Sequence, residues 1–266
     1  MTEAGEPGRR FARWTLLTVL GAAAGLTLLL AGRSPASAQD DLVVEGRQLY
    51  LVGCVSCHGI DGKGVRGPDG SKRGPTLSGA GEASAYYVLS TGRMPLGNPN
   101  EQPRRNDPAY ASADQDALVA YVATLGNGPA LPDVDLADAD LAAGGLVYRA
   151  NCQACHSASG GGGALSYGRA APHLSKAEPE QVAAAVRAGP GQMPVFGPAT
   201  VSDAELDDLV SYVEYLKAPK DPGGIPMGRI GPVPEGFVAW FVGVTLLLAC
   251  VYWIGTRSPI RRRSRP

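Results

Sequence analysis

Cys54-Val55-Ser56-Cys57-His58 is repeated 98 residues further on as Cys152-Gln153-Ala154-Cys155-His156, and the rest of the chain is read from this doubled pentapeptide. Two cysteines three apart, followed at once by histidine, form the attachment signature of a covalently bound c-type haem. On a helix, positions i, i+3 and i+4 share one face, so two thioether bonds and one iron-ligating imidazole can converge on a single macrocycle. Zinc is the competing reading, because four cysteines in two CxxC pairs can bind it tetrahedrally. The separation of 98 residues is far outside zinc-ribbon spacing, and each pair has its own histidine.

Shifted by 98 residues, the surroundings of the two motifs fall into register, as expected of a tandem array. Gly46 and Tyr50 meet Gly144 and Tyr148, on segments Val43 to Gly53 and Leu141 to Asn151 whose apolar spacing predicts short helices. Downstream, Gly74-Pro75-Thr76-Leu77 corresponds to Ala171-Pro172-His173-Leu174. Helices are predicted next over Glu82 to Thr91 and Pro179 to Ala188, each closed by glycine, Gly92 or Gly189. Then Gly92-Arg93-Met94-Pro95 matches Gly191-Gln192-Met193-Pro194. Ser112 with Gln115, and Ser202 with Glu205, have the spacing of capping boxes that open last helices running to Leu125 and Leu216. The first copy holds eight extra residues within Leu96 to Tyr110, a segment rich in Pro, Asn and Arg that reads as a surface loop.

A haem that only carries electrons needs a sixth iron ligand besides the histidine. A thioether sulfur stabilises ferrous iron and raises the potential. Of the four methionines, Met1 is the initiator and Met227 lies in a linker, leaving Met94 and Met193, which follow His58 and His156 by 36 and 37 residues. Their matching Gly-x-Met-Pro contexts let proline fix the loop that presents the sulfur. Met94 and Met193 acting as core fillers, and His173 replacing Met193 in a bis-histidine centre, are the alternatives.

The two ends of the chain are basic and the middle is acidic. Thr15 to Ala31, preceded by Arg9, Arg10 and Arg13 and followed by Ala36-Ser37-Ala38-Gln39, has the plan of a secretory signal. Cleavage and retention as an anchor both remain open. Phe237 to Thr256 is a run of twenty uncharged residues followed by Arg257, Arg261, Arg262, Arg263 and Arg265, which predicts a spanning helix with a cytoplasmic tail. The region from 40 to about 235 is therefore expected outside the cell membrane, with Cys250 as a packing residue of the span. Between 127 and 218 there are eleven acidic and five basic residues, a field that attracts basic partners. The high Gly and Pro content, 36 and 22 of 266 residues against 4 Phe, fits small loop-rich domains.

The repeat resembles the all-helical class I cytochrome c fold, in which the first and last helices cross at a glycine and an aromatic and embrace the haem. That resemblance implies that Gly46 packs near Tyr121 and Gly144 near Tyr212. It also implies that the carbonyls of Pro75 and Pro172 accept the Nδ1 protons of His58 and His156, with His173 on the same proximal side or at the surface. The expected fold is all-α, with two tandem class I domains, a C-terminal transmembrane helix and an N-terminal signal or anchor helix. Its boundaries are 1–39 signal or anchor, 40–126 domain 1, 127–218 domain 2, 219–236 connector, 237–256 span and 257–266 basic tail.

The order of these parts, including the connector GIPMGRIGPVPEG at Gly224 to Gly236, resembles the dihaem cytochrome c subunit of actinobacterial cytochrome bcc complexes. The resemblance implies an electron-transfer subunit of a menaquinol–cytochrome c reductase, taking electrons from a Rieske iron-sulfur protein beside cytochrome b. It would pass them to an aa3-type cytochrome c oxidase. It implies two covalently bound haem c groups held by Cys54, Cys57, Cys152 and Cys155, with iron between His58 and Met94 and between His156 and Met193. The chain has no bond-making catalytic residues on this reading, and no nucleic-acid partner is expected. A stand-alone membrane-anchored carrier and a dihaem subunit of a cbb3-type oxidase are the rival readings; a peroxidase would need an open iron position.

Overall fold

Each cysteine motif sits at a break between two helices, and the same break occurs twice. The structure is a computed structural model and describes residues 35–99, 101–220, 223 and 232–257. The apolar run Thr15 to Ala31, most of the connector with Met227, and the arginines at 261–263 and 265 lie outside the described residues. Helix α1 (Pro35–Gly53) starts earlier than expected and is followed by the one-turn α2 (Val55–His58). Two short strands, β1 (Val65–Arg66) and β2 (Lys72–Gly74), pair as an antiparallel hairpin. Helices α3 (Gly81–Ser90) and α4 (Ser112–Ala123) complete the first unit.

The second unit repeats this order with α5 (Leu141–Asn151), the one-turn α6 (Gln153–His156) and the hairpin β3 (Gly163–Ala164) with β4 (Ala170–Ala171). It closes with α7 (Pro179–Ala188) and α8 (Asp203–Lys217). The fold is thus mostly helical, with two small hairpins that apolar periodicity does not reveal because their strands are two or three residues long.

The first and last helices of each unit pack together, α1 on α4 and α5 on α8. Glycine allows the crossing: a Cβ on Gly46 would run into the Ala117 carbonyl and approach Cβ of Tyr121 to 2.9 Å. In the second unit a Cβ on Gly144 would meet the Asp208 carbonyl, while Tyr212 lies against neighbouring Gly145. Both contacts fall four residues before the tyrosine, one helical turn, so the expected crossing occurs in both copies. Around it lie two separate cores, Tyr50, Leu89, Leu118, Val119, Tyr121 and Val122 in one and Tyr148, Val186, Leu206, Leu209, Val210 and Val213 in the other.

The expectation that Leu96 to Tyr110 is only a surface loop is incomplete. Arg105 Nη2 donates to Gln181 Oε1 at 2.7 Å, and Gln102 makes two bonds to Ala170, from its Nε2 to the carbonyl at 2.8 Å and from the Ala170 amide to its Oε1 at 3.1 Å. Both partners belong to the second unit. The units also touch along α3 and α7, where Ala83 and Ala184 leave room for Tyr87 to fill the seam. Gln181 Nε2 donates across it to the Ser90 carbonyl at 3.2 Å.

Helix α9 (Pro232–Arg257) stands apart, with Phe237, Trp240, Phe241, Leu246, Leu247, Leu248 and Trp253 exposed. Its 26 residues at about 1.5 Å each exceed the roughly 30 Å of a bilayer core. Among the described residues this is the one helix long and apolar enough to cross a membrane.

Candidate haem sites

The backbone turns of the two cysteine motifs are nearly superimposable in their bonding. Cys54 N–H donates to the Tyr50 carbonyl at 2.9 Å and His58 N–H to the Cys54 carbonyl at 2.9 Å; Cys152 and His156 repeat this at 2.8 and 2.9 Å. Both histidines are then tied to a proline carbonyl. His58 Nδ1–H donates to Pro75 O at 2.9 Å, and His156 Nδ1–H to Pro172 O at 3.1 Å. A donor at Nδ1 fixes the tautomer that leaves Nε2 with a lone pair, the form in which imidazole binds a metal. Burial, opposed by the Pro172 bond, lowers the pKa of His156 and favours the same neutral form.

None of the four motif cysteines is in a disulfide. Burial and then the neighbouring Cys155 push the Cys152 thiol up to about 11, and burial and Cys57 raise Cys54 in the same way. A thioether sulfur has no charge to desolvate, so such an environment suits haem attachment, whereas a zinc ligand has to be a thiolate. Among the described residues no three His, Cys, Asp or Glu side chains are placed to share a metal ion.

Met94 and Cys54 lean on the same core, that of Tyr50 and Tyr121, and Met193 and Cys152 lean on that of Tyr148 and Leu209. Each methionine is thus in the same unit as the histidine that it was paired with by spacing. His173 is exposed, and its Nδ1 accepts from the Ser175 amide at 3.0 Å, capping a short turn rather than pointing into the core. The residues fit a haem on one further observation: Nη1 of Arg93, beside Met94, is buried without an acceptor, as expected where an anionic group of a cofactor belongs.

Two tyrosines have a part that sequence reasoning did not assign. Tyr50 and Tyr148 are 0% and 1% exposed, and their hydroxyls donate to the carbonyls of Gly59 and Ser157, each at 2.7 Å. Those carbonyls follow the histidines directly, so the ring spans from α1 or α5 to the end of the attachment turn. The rings pack at a tilt against Tyr121 and Tyr212, with centroids 5.1 and 5.4 Å apart. The recurrence of tyrosine four residues before each motif was the available signal. Desolvation raises the phenol of Tyr50 to about 12 and that of Tyr148 further in the same direction, so both remain donors.

These features define a protein with tandem cytochrome c domains, a class whose haem is held covalently. Family models agree: residues 43–126 match cytochrome c, and residues 139–213 match cytochrome c oxidase, cbb3-type, subunit III. The cytochrome bc1 complex cytochrome c subunit of Mycobacterium tuberculosis is 39% identical over 91% of this chain and 89% of its own length. That of Corynebacterium diphtheriae is 36% identical over 94% and 97%. The cbb3-type cytochrome c oxidase subunit CcoP of an Azospirillum species is 30% identical over 64% of this chain and 61% of its own length. The chain belongs to the family of cytochrome bc1 complex cytochrome c subunits, and is accordingly an electron carrier of a quinol–cytochrome c reductase.

Proposed function

We propose that this chain is the dihaem c electron-transfer subunit of a menaquinol–cytochrome c reductase, taking electrons from a Rieske iron-sulfur protein and passing them to an aa3-type cytochrome c oxidase. The observation that carries the reading is similarity at 36–39% identity extending over more than nine-tenths of the chain, through both cysteine motifs to the C-terminal helix. A bound haem c supplies reversible one-electron chemistry at iron. Cys54 and Cys57 would hold one haem and Cys152 and Cys155 the other, and His58 with Met94, and His156 with Met193, would bind the irons. The bonds from His58 and His156 to Pro75 and Pro172 orient each imidazole and strengthen it as a ligand.

Domain 1 covers 40–126 and domain 2 covers 127–218, both on the extracytoplasmic side of the cell membrane. The connector, the span 237–256 and the tail 257–266 anchor them, with cytochrome b as a neighbour. Residues 1–39 form a signal peptide or anchor. The acidic surface of domain 2 favours a basic docking partner and sets association rate more than affinity.

Purification through an affinity tag on this chain, in mild detergent, is expected to bring down cytochrome b, the Rieske protein and oxidase haem a. Recovery of neither cytochrome b nor oxidase would reject the complex-subunit reading in favour of a stand-alone carrier. The match of residues 139–213 to a cbb3-type subunit favours oxidase association as the second reading, and recovery of a cbb3-type oxidase without cytochrome b would establish it. Carbon monoxide should not bind the reduced native protein. Binding at both haems would overturn methionine ligation and the carrier role together.

A further inference from the structure

Arg187, in the last turn of α7, and Arg93, just after α3, are two poorly exposed guanidiniums, and the chain satisfies only one of them. Arg187, 6% exposed, donates from Nη1 to the carbonyls of Phe196 and Val201 at 2.8 and 2.7 Å and from Nη2 to Asp203 Oδ1 at 2.6 Å. Arg93 lies with its guanidinium carbon 4.7 Å from the centroid of the Tyr87 ring, and its buried Nη1 has no acceptor. No ion pair accounts for it among the described residues. A second cation, Arg105, is close enough for its charge to disfavour that of Arg93 and to act on the same Tyr87. A buried donor without an acceptor is destabilising, more so for a charged group, and a second like charge adds to that. Such an arrangement is stable when an anion sits on it.

We propose that Arg93 binds a propionate carboxylate of the haem attached at Cys54 and Cys57 through Nη1, with the charge of Arg105 in support. This rests on the reading that a haem is attached there. The group belongs to the haem rather than to solvent for two reasons. Arg93 adjoins Met94, which packs with Cys54 on one core, and the propionates are the carboxylates that a haem carries. The second copy has neutral Gln192 in the matching place, so the two haems differ by one cation beside the methionine. Arg105 also donates to Gln181 of the other unit, which places the clamp at the seam between the domains. An ionised propionate left without its cation stabilises ferric over ferrous iron. Arg93 therefore raises the potential of the first haem.

The test uses the full chain with both haems bound in detergent, in a Met193→Leu background that labels the second haem by its own lowered potential. Arg93→Gln, which installs the residue of the second copy, is expected to shift the resonance Raman propionate-bending band of one haem and to lower its potential. The sulfur-to-iron charge-transfer band of Met94 is retained, and the second haem is unmoved. Arg93→Lys restores part of the potential but not the bending band, since a point charge replaces the planar fork. If Arg93→Gln impairs haem loading, Arg93→Lys decides alone: a shifted bending band supports the contact. An unchanged bending band and unchanged potentials in a variant that keeps both haems would overturn the proposal and leave Nη1 to a water molecule. Wild-type protein lacking a covalent haem at Cys54 and Cys57 would instead reject the reading on which it rests.

Discussion

A single side chain does most of its work here by what it fixes in its neighbour. Tyr148 is the clearest case, because its hydroxyl holds the Ser157 carbonyl and its ring fills the core between α5 and α8. Tyr148→Phe keeps the ring and strands that carbonyl, so a destabilisation of about 1–2 kcal/mol is expected in the denaturant midpoint of the second domain, with the first unaffected. Met193→Leu tests a different bond. It should lower the potential of one haem and leave the other near its original value in a redox titration, and no change in either would exclude Met193 as a ligand. The bonds of His58 and His156 to Pro75 and Pro172, and the place of each methionine in the unit of its histidine, were legible in the sequence because the spacing of these residues repeats. The unmet Nη1 of Arg93 was not, since it depends on three-dimensional neighbours, and neither was the target of the tyrosine hydroxyls, which lies at the far side of a turn.

At the scale of elements, α5 and α7 have the ends that apolar periodicity predicts, whereas α1 begins at Pro35 rather than Val43. Capping was less regular. Ser202 and Glu205 form the reciprocal box at the start of α8, the serine Oγ accepting from the Glu205 amide at 3.3 Å and the carboxylate accepting from the Ser202 amide at 2.8 Å. Ser112 does not repeat it: α4 begins with Ala111 at its cap, and Gln115 turns back to donate to the Tyr110 carbonyl at 2.8 Å. Tyr110 packs on the first core, so packing sets the entry angle there in place of a serine cap. Ser202→Ala should therefore cost about 1 kcal/mol as a lowered thermal midpoint of domain 2, and Ser112→Ala much less. The box also has a pH signature. Hydrogen bonds from the Ser202 backbone and side chain hold the Glu205 carboxyl below its usual value. A depressed folded pKa gives stability that is present above the unfolded value and lost as pH falls through the folded one. Glu205→Gln should thus be less stable than wild type near neutrality and converge with it in acid, as read from urea midpoints against pH. Gly144→Ala tests the crossing itself, where a Cβ meets the Asp208 carbonyl and overpacking typically costs about 1–3 kcal/mol.

Over the whole molecule, the repeat in sequence suggests two beads on a string, and the structure joins them into one block. Part of what joins them is the stretch that breaks the repeat, because the extra residues of the first copy supply Gln102 and Arg105, which reach Ala170 and Gln181 of the second. Periodicity cannot reveal such a strap, since it lies where the two copies fail to align. The amides of Ala83, Leu131 and Ala170 bond to acceptors at or beside the seam: Ala83 on Pro129 O, Leu131 on Glu82 Oε2 and Ala170 on Gln102 Oε1, each at 3.1 Å. They report on the seam separately from the two cores. If the strap and the contact of α3 with α7 hold the units together, the double variant Gln102→Ala, Gln181→Ala should speed hydrogen exchange at Ala170 and in the Ala83 to Tyr87 stretch. Exchange at Leu118 and Leu209, deep in the separate cores, should be unchanged. Electron transfer between the two sites should slow or become heterogeneous, because a looser seam spreads the distance between them. Equal exchange in variant and wild type would mean that the seam is held by Ala83, Tyr87 and Ala184 alone, and the strap would then have to be explained by what it does for Arg93 rather than by joining the domains.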